Sequence, residues 1–391
     1  MNGILIKNNY REIGEQGMII WVKEIPDKMT VKSVSVWTKP SIEIRPLIGL
    51  ESIQYGDYII ISKTDMDFNF FEPFSLCSVL VYEDFFHKIS NNVIVEISYN
   101  FDYYYLKNAI SASKREEIDT IITGSSYGLF GIDCKQLPGA VNLALRSQDL
   151  YYSLKGIYEV CSVNKNIRNI VLCCNYYYFF SDLSKTKNED EIQRVSKVYQ
   201  PLYEDLHNCE LLPPKVNILP LSDIFDIERV VELYSFGEYE KAYFNKDRTR
   251  NSCAARVWED KSKDWHQLNE TEKVQAGIAR AEAHNKSYKW KISLDENKRL
   301  FNQLSVFCDS CGINLVLVVT PATSYYREHL YQEFKDDFFE VLNQAEGMIH
   351  LLDLYEDARF EEEDFNDTDH LSDSGAAKLT SAVRELLLGI N

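Results

Sequence analysis

The hydrophobic rhythm of the chain changes near residue 100. Before it, short runs of β-branched, aromatic and aliphatic residues recur at 17–23, 30–37, 42–47, 57–62, 78–82 and 92–99. Pro, Gly, Asn and Asp separate them, which predicts a β-rich domain over 1–100, a small sandwich or barrel. Beyond it, apolar runs at 118–123, 141–145, 169–174, 313–320 and 348–352 alternate with helical patterns at 103–117, 148–160, 270–284, 294–310, 327–345 and 375–388. That alternation predicts an α/β domain over 101–391, a mostly parallel sheet covered by helices on both faces. Residues 182–265 break it with Pro213-Pro214, charge clusters and an aromatic stretch at 234–243, and read as an insertion or cap. A length of 391 residues suits two domains.

Composition narrows the function classes. With 45% hydrophobic and 26% charged residues the chain reads as folded rather than disordered. Its net charge of −18 argues against nucleic acid or an anionic membrane as a partner through bulk electrostatics. The basic cluster Lys246–Arg250 is too short to change that. No run approaches 18 consecutive apolar residues, so no membrane span is expected. The N-terminus lacks the apolar core of a signal peptide, and nine scattered Cys suit free thiols in a reducing compartment. The expectation is a cytoplasmic protein.

Two segments carry chemistry. In Ile121-Ile122-Thr123-Gly124-Ser125-Ser126-Tyr127-Gly128-Leu129-Phe130-Gly131-Ile132-Asp133 a buried strand runs straight into small residues. Ligands gather at the carboxyl ends of strands in open α/β sheets. A hydroxyl there has backbone N–H groups of a following helix beside it, suited to an oxyanion. The same serines would also serve as a turn or helix cap. The second segment is Asp367-Thr368-Asp369-His370-Leu371-Ser372, followed by a helix with an apolar face of Leu379, Ala382, Val383, Leu386 and Leu387. That fixes His370 in the loop before a packed helix. Asp367, three residues earlier, can orient the imidazole, although a His in an acidic loop can equally be merely solvated. Asp369 is expected to matter far less than Asp367.

Together the segments resemble the SGNH/GDSL hydrolase family, whose first block is Gly-Asp-Ser and whose last is Asp-x-x-His. The resemblance implies a three-layer αβα flavodoxin-like domain, Ser126 as nucleophile, His370 as base and Asp367 as the orienting carboxylate. Ser125 stands where the family usually has Asp. Gly124-Ser125-Ser126 with Gly131-Ile132-Asp133 after it, and His370-Leu371-Ser372 with Gly375-Ala376, look like the branch related to the D-alanyl-transfer protein of teichoic acid synthesis and to polysaccharide O-acetyltransferases. The middle blocks depart from the pattern. Asn175, after the run 169–174, stands where the family places an oxyanion-donating Asn, but Gly-x-Asn-Asp is not intact. No Gly follows the run 141–145, leaving an N–H of Ser147 or Arg146 as the second donor. The implied function is a serine acyltransferase or esterase acting on O-acyl groups of a glycan or glycan precursor. A carbohydrate and an acyl donor would be its partners, with no cofactor and no metal. Two alternatives stay open: a general carboxylesterase or deacetylase on the same residues, and a non-catalytic glycan-binding protein, which the missing Gly favours.

Other features read more plainly. Cys308 and Cys311 have metal or redox spacing but no second pair, and suit free thiols. Cys173 and Cys174 suit a core strand. Thr320-Pro321 with Tyr325-Tyr326 suits either an acceptor pocket or a structural loop. The run Glu361–Asp364 suits a solvated loop, and His266, His284 and His329 have no evident partner.

Overall fold

The structure, a computed structural model, describes residues 19–22, 38–39, 41–48, 53, 57–61, 78–81, 101–209 and 265–390. The chain divides into two compact units, 1–101 with 215–235, and 102–214 with 236–391.

In the first unit, β1 (Ile19–Val22), β2 (Glu43–Pro46), β3 (Tyr58–Ile61) and β4 (Ser78–Val81) form one sheet in the order β2-β1-β3-β4. Every pair is parallel, which corrects the expected sandwich or barrel. Parallel neighbours cannot be joined by hairpins, and spacing between runs does not reveal strand direction. The discriminating signal is β1 itself: Ile-Ile-Trp-Val is apolar without alternation and buried throughout, as central parallel strands are. Buried Asp57 accepts from the Trp21 indole at 2.9 Å and from the Ile19 amide at 3.4 Å. The runs at 30–37 and 92–99 lie outside the described residues.

In the second unit, β5 (Thr120–Gly124), β6 (Ala140–Asn142), β7 (Asn169–Cys174), β8 (Asn314–Val319) and β9 (Ile349–Asp353) make an all-parallel sheet in the order β6-β5-β7-β8-β9. Counted along the unit this is the 2-1-3-4-5 order of flavodoxin-like folds. The helices are α1 (Phe101–Ala112), α2 (Ser126–Gly131), α3 (Leu150–Val163), α4 (Glu189–Arg194), α5 (Gln200–Tyr203), α6 (Glu270–Asn285), α7 (Lys291–Cys311), α8 (Ser324–Arg327), α9 (Glu333–Gln344) and α10 (Asp373–Ile390). Right-handed crossovers in this strand order send the first connection to one face and the next three to the other. Accordingly α2 packs with α10, while α7 packs with both α3 and α9. The sheet between these layers is continuous core, with Ile170 to Cys174 and Leu315 to Val319 fully buried. Cys173 and Cys174 belong to it. Among the described residues all cysteines are free, and no helix is long and apolar enough to cross a membrane.

Of the stretch expected as an insertion, 182–209 is described and 210–264 lies outside the described residues. A π-helical turn joins α4 to α5. Arg194 ties this stretch to α1 through Asp102 at 3.1 Å, and to the loop after β6 through the Arg146 carbonyl.

The chain leaves β5 through Gly124, whose φ is +111°. A Cβ there would lie 2.1 Å from the Cys173 carbonyl oxygen, so both the backbone angle and the approach of β7 require glycine. This turn aims Ser125 and Ser126 out of the carboxyl edge of the sheet. Gly124→Ala should therefore destabilise the protein by more than about 3 kcal/mol. A urea denaturation midpoint equal to that of the parent chain would contradict this placement.

Candidate active site

Ser126 opens α2, directly after Gly124 and the N-cap Ser125. His370 lies in a loop closed on itself: Phe365 and Leu371 form an antiparallel bridge, and the Asn366 amide donates to the His370 carbonyl at 2.9 Å. Thr323, after β8, buttresses the loop by donating its amide (3.0 Å) and its hydroxyl (2.7 Å) to the Thr368 carbonyl. The Thr320–Tyr326 segment is thus structural support. Behind the loop α10 is tied to the exit of α2, since the Asp133 amide donates to Thr380 Oγ1 at 3.0 Å.

These restraints bring Ser126 Oγ within 2.8 Å of His370 Nε2. His370 Nδ1 lies 2.9 Å from Asp367 Oδ2 and 3.1 Å from Oδ1. An ionised carboxylate only accepts, so Nδ1 carries the proton and Nε2 presents a lone pair to the serine hydroxyl. Asp367 also accepts from the amides of Asp369 (2.9 Å) and His370 (2.8 Å), which fixes the carboxylate before it meets the ring. The imidazole is 7% exposed. It stacks on Tyr127, with centroids 5.4 Å apart, and meets the edge of Phe130.

Asp369 is not the bystander the sequence suggested. It is buried, its Oδ1 lies 3.5 Å from His370 Nδ1, and it accepts from the Arg280 guanidinium at 3.1 and 3.2 Å and from the Tyr127 hydroxyl at 2.7 Å. Burial pushes its carboxyl up, but Arg280, His370 and His284 together pull it well below the ordinary carboxylate range. Arg280 comes from α6, which can approach because Gly277 packs on the backbone of Tyr325; a Cβ there would lie 2.1 Å from that carbonyl oxygen. His284, one turn further along α6, also has partners. It lies 2.6 Å from the Tyr326 hydroxyl, stacks on Tyr177 at 4.0 Å, and burial with Arg280 and His370 nearby lowers it to about 3, outweighing Asp369. For His370 burial opposes the charge, yet Asp367 and Asp369 outweigh burial and Arg280, and the imidazolium is held above its ordinary 6.5.

A cavity of about 560 Å³ opens over this pair, lined by Ser126, His370, Asp367 and Asp369 with Arg146, Ser147 and Arg280, and by Trp265, Leu268 and Ala276 on an apolar side. Ser147 has a left-handed backbone, φ 54°, in a loop pinned by buried Gln148, whose amide donates to the Gly124 and Leu143 carbonyls at 3.2 Å. Asn175 does not line the cavity. It is buried at the end of β7, where its side-chain oxygen caps the next turn by accepting from the Tyr176 amide at 2.7 Å, and its Nδ2 has no partner. The Glu361–Asp364 run is partly structural. Asp364 is buried, accepts from Lys378 at 2.6 Å and forms a capping box with Glu361, while Glu362 pairs with Lys273. Asp367, Asp369 and His370 lie close enough to share a metal ion, but both imidazole nitrogens are already taken, by Asp367 and by Ser126.

No protein-family model and no curated protein matches the chain. Among solved structures, a Streptococcus pneumonia protein provisionally named a platelet activating factor aligns with 75% of this chain and 98% of its own, at 11% identity and a TM-score of 0.32. A likeness of that degree bears on neither substrate nor activity.

The geometry sets two measurable expectations. The His370 pKa read by NMR should lie above 6.5, and removing the charge of Asp367 by Asp367→Asn should lower it; a value below 6.5 in the parent chain would contradict the arrangement. Asp369→Asn should cost about 1–3 kcal/mol of stability, less than a fully buried pair because Arg280 is 38% exposed. An unchanged unfolding midpoint would deny Asp369 its anchoring role.

Proposed function

We propose that the protein is a serine esterase or O-acyltransferase working through an acyl ester on Ser126. The observation that carries the reading is the contact of Ser126 Oγ with His370 Nε2 at 2.8 Å while Asp367 holds Nδ1. A neutral imidazole so oriented accepts the hydroxyl proton as the oxygen attacks an ester carbonyl. The tetrahedral intermediate collapses with loss of the alcohol, which takes the proton from the imidazolium. A second hydroxyl, from water or a sugar, then attacks the acyl-serine with His370 again as base. Asp367, and Asp369 beside it, stabilise the imidazolium formed in each half-reaction.

In such chemistry, stabilising the oxyanion usually contributes more to the rate than any other single effect. We assign that role to the backbone N–H of Ser147, which lines the cavity, and to Asn175, whose side chain would have to turn toward the cavity from the end of β7 to reach the oxyanion. The register pairs Gly124 with Cys173, so Asn175 and Ser126 sit two residues beyond the same rung, and Asn175 Nδ2 is a donor still lacking an acceptor. The left-handed backbone at Ser147 is one that the family's glycine adopts without strain. This weakens the case for a non-catalytic scaffold built on the missing Gly. The acceptor class suggested by the sequence resemblance is a glycan or glycan precursor.

Hydrolysis of an aryl acetate tests the nucleophile. Ser126→Ala should fall to background, whereas Ser125→Ala should stay within about tenfold of the parent rate, since the Ser125 hydroxyl is buried without a partner and its loss leaves no other group unpaired. Equal losses in the two variants would overturn the assignment. Because the base must be neutral, the rate should rise with pH through the elevated His370 pKa, and a profile already flat from pH 6 upward would contradict it.

A further inference from the structure

A second constellation of ionisable groups sits at the N-terminus of α3, and neither the nucleophile nor its cavity uses it. Asp149 caps α3, accepting from the Tyr152 amide at 3.0 Å, and its other oxygen accepts from the Leu183 amide at 2.8 Å. Asp182 caps the next turn, accepting from the Ser184 amide at 2.8 Å and from the Ser293 hydroxyl at 2.9 Å. Both carboxylates are therefore buried and pinned. His207 faces them with its side chain 7% exposed. Its own placement is enforced: φ is +50°, a conformation a non-glycine residue holds only under strain, and its ring lies flat on Tyr151 at 3.8 Å.

Hydrogen bonding fixes the far side of the ring and leaves its other nitrogen toward the carboxylates. Nε2 lies 3.0 Å from Glu296 Oε1, an acceptor, so Nε2 carries the hydrogen. Nδ1 is buried and without a hydrogen-bond partner, with Asp182 Oδ1 at 3.9 Å. One ligand atom from each of Asp149, Asp182 and His207 lies within 4.8 Å of the others. No hydrogen bond links the three groups to one another, although the Ser184 hydroxyl also donates to Asp182 Oδ1 at 2.5 Å. The neighbouring Lys155 is taken by Asp205 at 2.5 Å. Burying such a set is costly unless a positive charge joins it.

We propose that Asp149, Asp182 and His207 bind one divalent metal ion, zinc by the mix of imidazole and carboxylate, with water in the fourth position. Ligand bonds of about 2.0–2.1 Å require the three groups to close by roughly an ångström. Glu296 on Nε2 and Ser293 on Asp182 supply the outer hydrogen bonds that orient metal-bound His and carboxylate groups. The ion would clamp the start of α3 to the turn after β7 and to the turn at His207, a structural role separate from Ser126.

The test uses the full-length protein, stripped with a chelator and titrated with zinc chloride. One zinc per chain should bind, raising the thermal midpoint by at least about 4 °C. His207→Gln and Asp182→Asn should weaken binding at least tenfold and abolish that rise. Asn still caps a helix through its side-chain oxygen, so Asp182→Asn should keep the parent circular dichroism. His370→Ala removes the other carboxylate–imidazole cluster and should leave zinc stoichiometry at one. The proposal is overturned if the parent chain binds no zinc, if either variant binds as the parent does, or if His370→Ala abolishes binding. A proton on Nδ1 in place of the metal would show as the first of these.

Discussion

One contact organises the candidate active site, Ser126 Oγ to His370 Nε2, between residues 244 positions apart. Neither residue could be placed alone. Parallel strands put every strand-to-helix turn of the sheet on a common edge, and β5 lies inside the sheet, so the Gly124 turn opens where loops from several strands converge. The strand order sends α2 and α10 to the same face, where the Asp133–Thr380 hydrogen bond sets their relative height. The closed loop 365–371 then needs only Thr323 beneath it to deliver His370 at hydrogen-bond distance.

Charge organises the second tier. A buried imidazole would ordinarily resist protonation, yet the base of the proposed acyl transfer must accept a proton in the transition state. Two carboxylates meet that demand differently. Asp367, part-exposed, fixes the tautomer by direct hydrogen bonds. Asp369, buried, remains ionised because Arg280 and Tyr127 satisfy it, and it adds a field without taking the proton. Arg280 thus bears on His370 in two opposed ways, keeping Asp369 ionised and disfavouring the imidazolium directly.

Much of this was legible in the sequence where the physics is local. Residues 169–174 read as a strand and form β7 with those bounds, because a β-branched and thiol run with no polar interruption suits only a strand buried on both faces. The Asp-x-x-His spacing and the Gly-Ser-Ser turn were visible because neighbours in sequence define them. Arg280, Tyr127 and His284 were not, since their partners lie across the fold: Arg280 and Asp369 are 89 residues apart, and α6 looks polar until Gly277 shows which side meets backbone. The parallel pairing of β1–β4 escaped for the same reason, because direction is a property of pairing rather than of a run. Asp149, Asp182 and His207 lie far apart along the chain with no shared local pattern, and only the fold sets His207 against the two carboxylates.

Whether Ser126 is an activated nucleophile is tested most directly by covalent labelling. The full-length protein would be treated with a fluorophosphonate near neutral pH, digested, and the adduct located by mass spectrometry. One adduct is expected, on Ser126, and it should fail to form in His370→Ala although that variant folds. An adduct on Ser125, or a parent protein that takes up no label, would contradict the assignment.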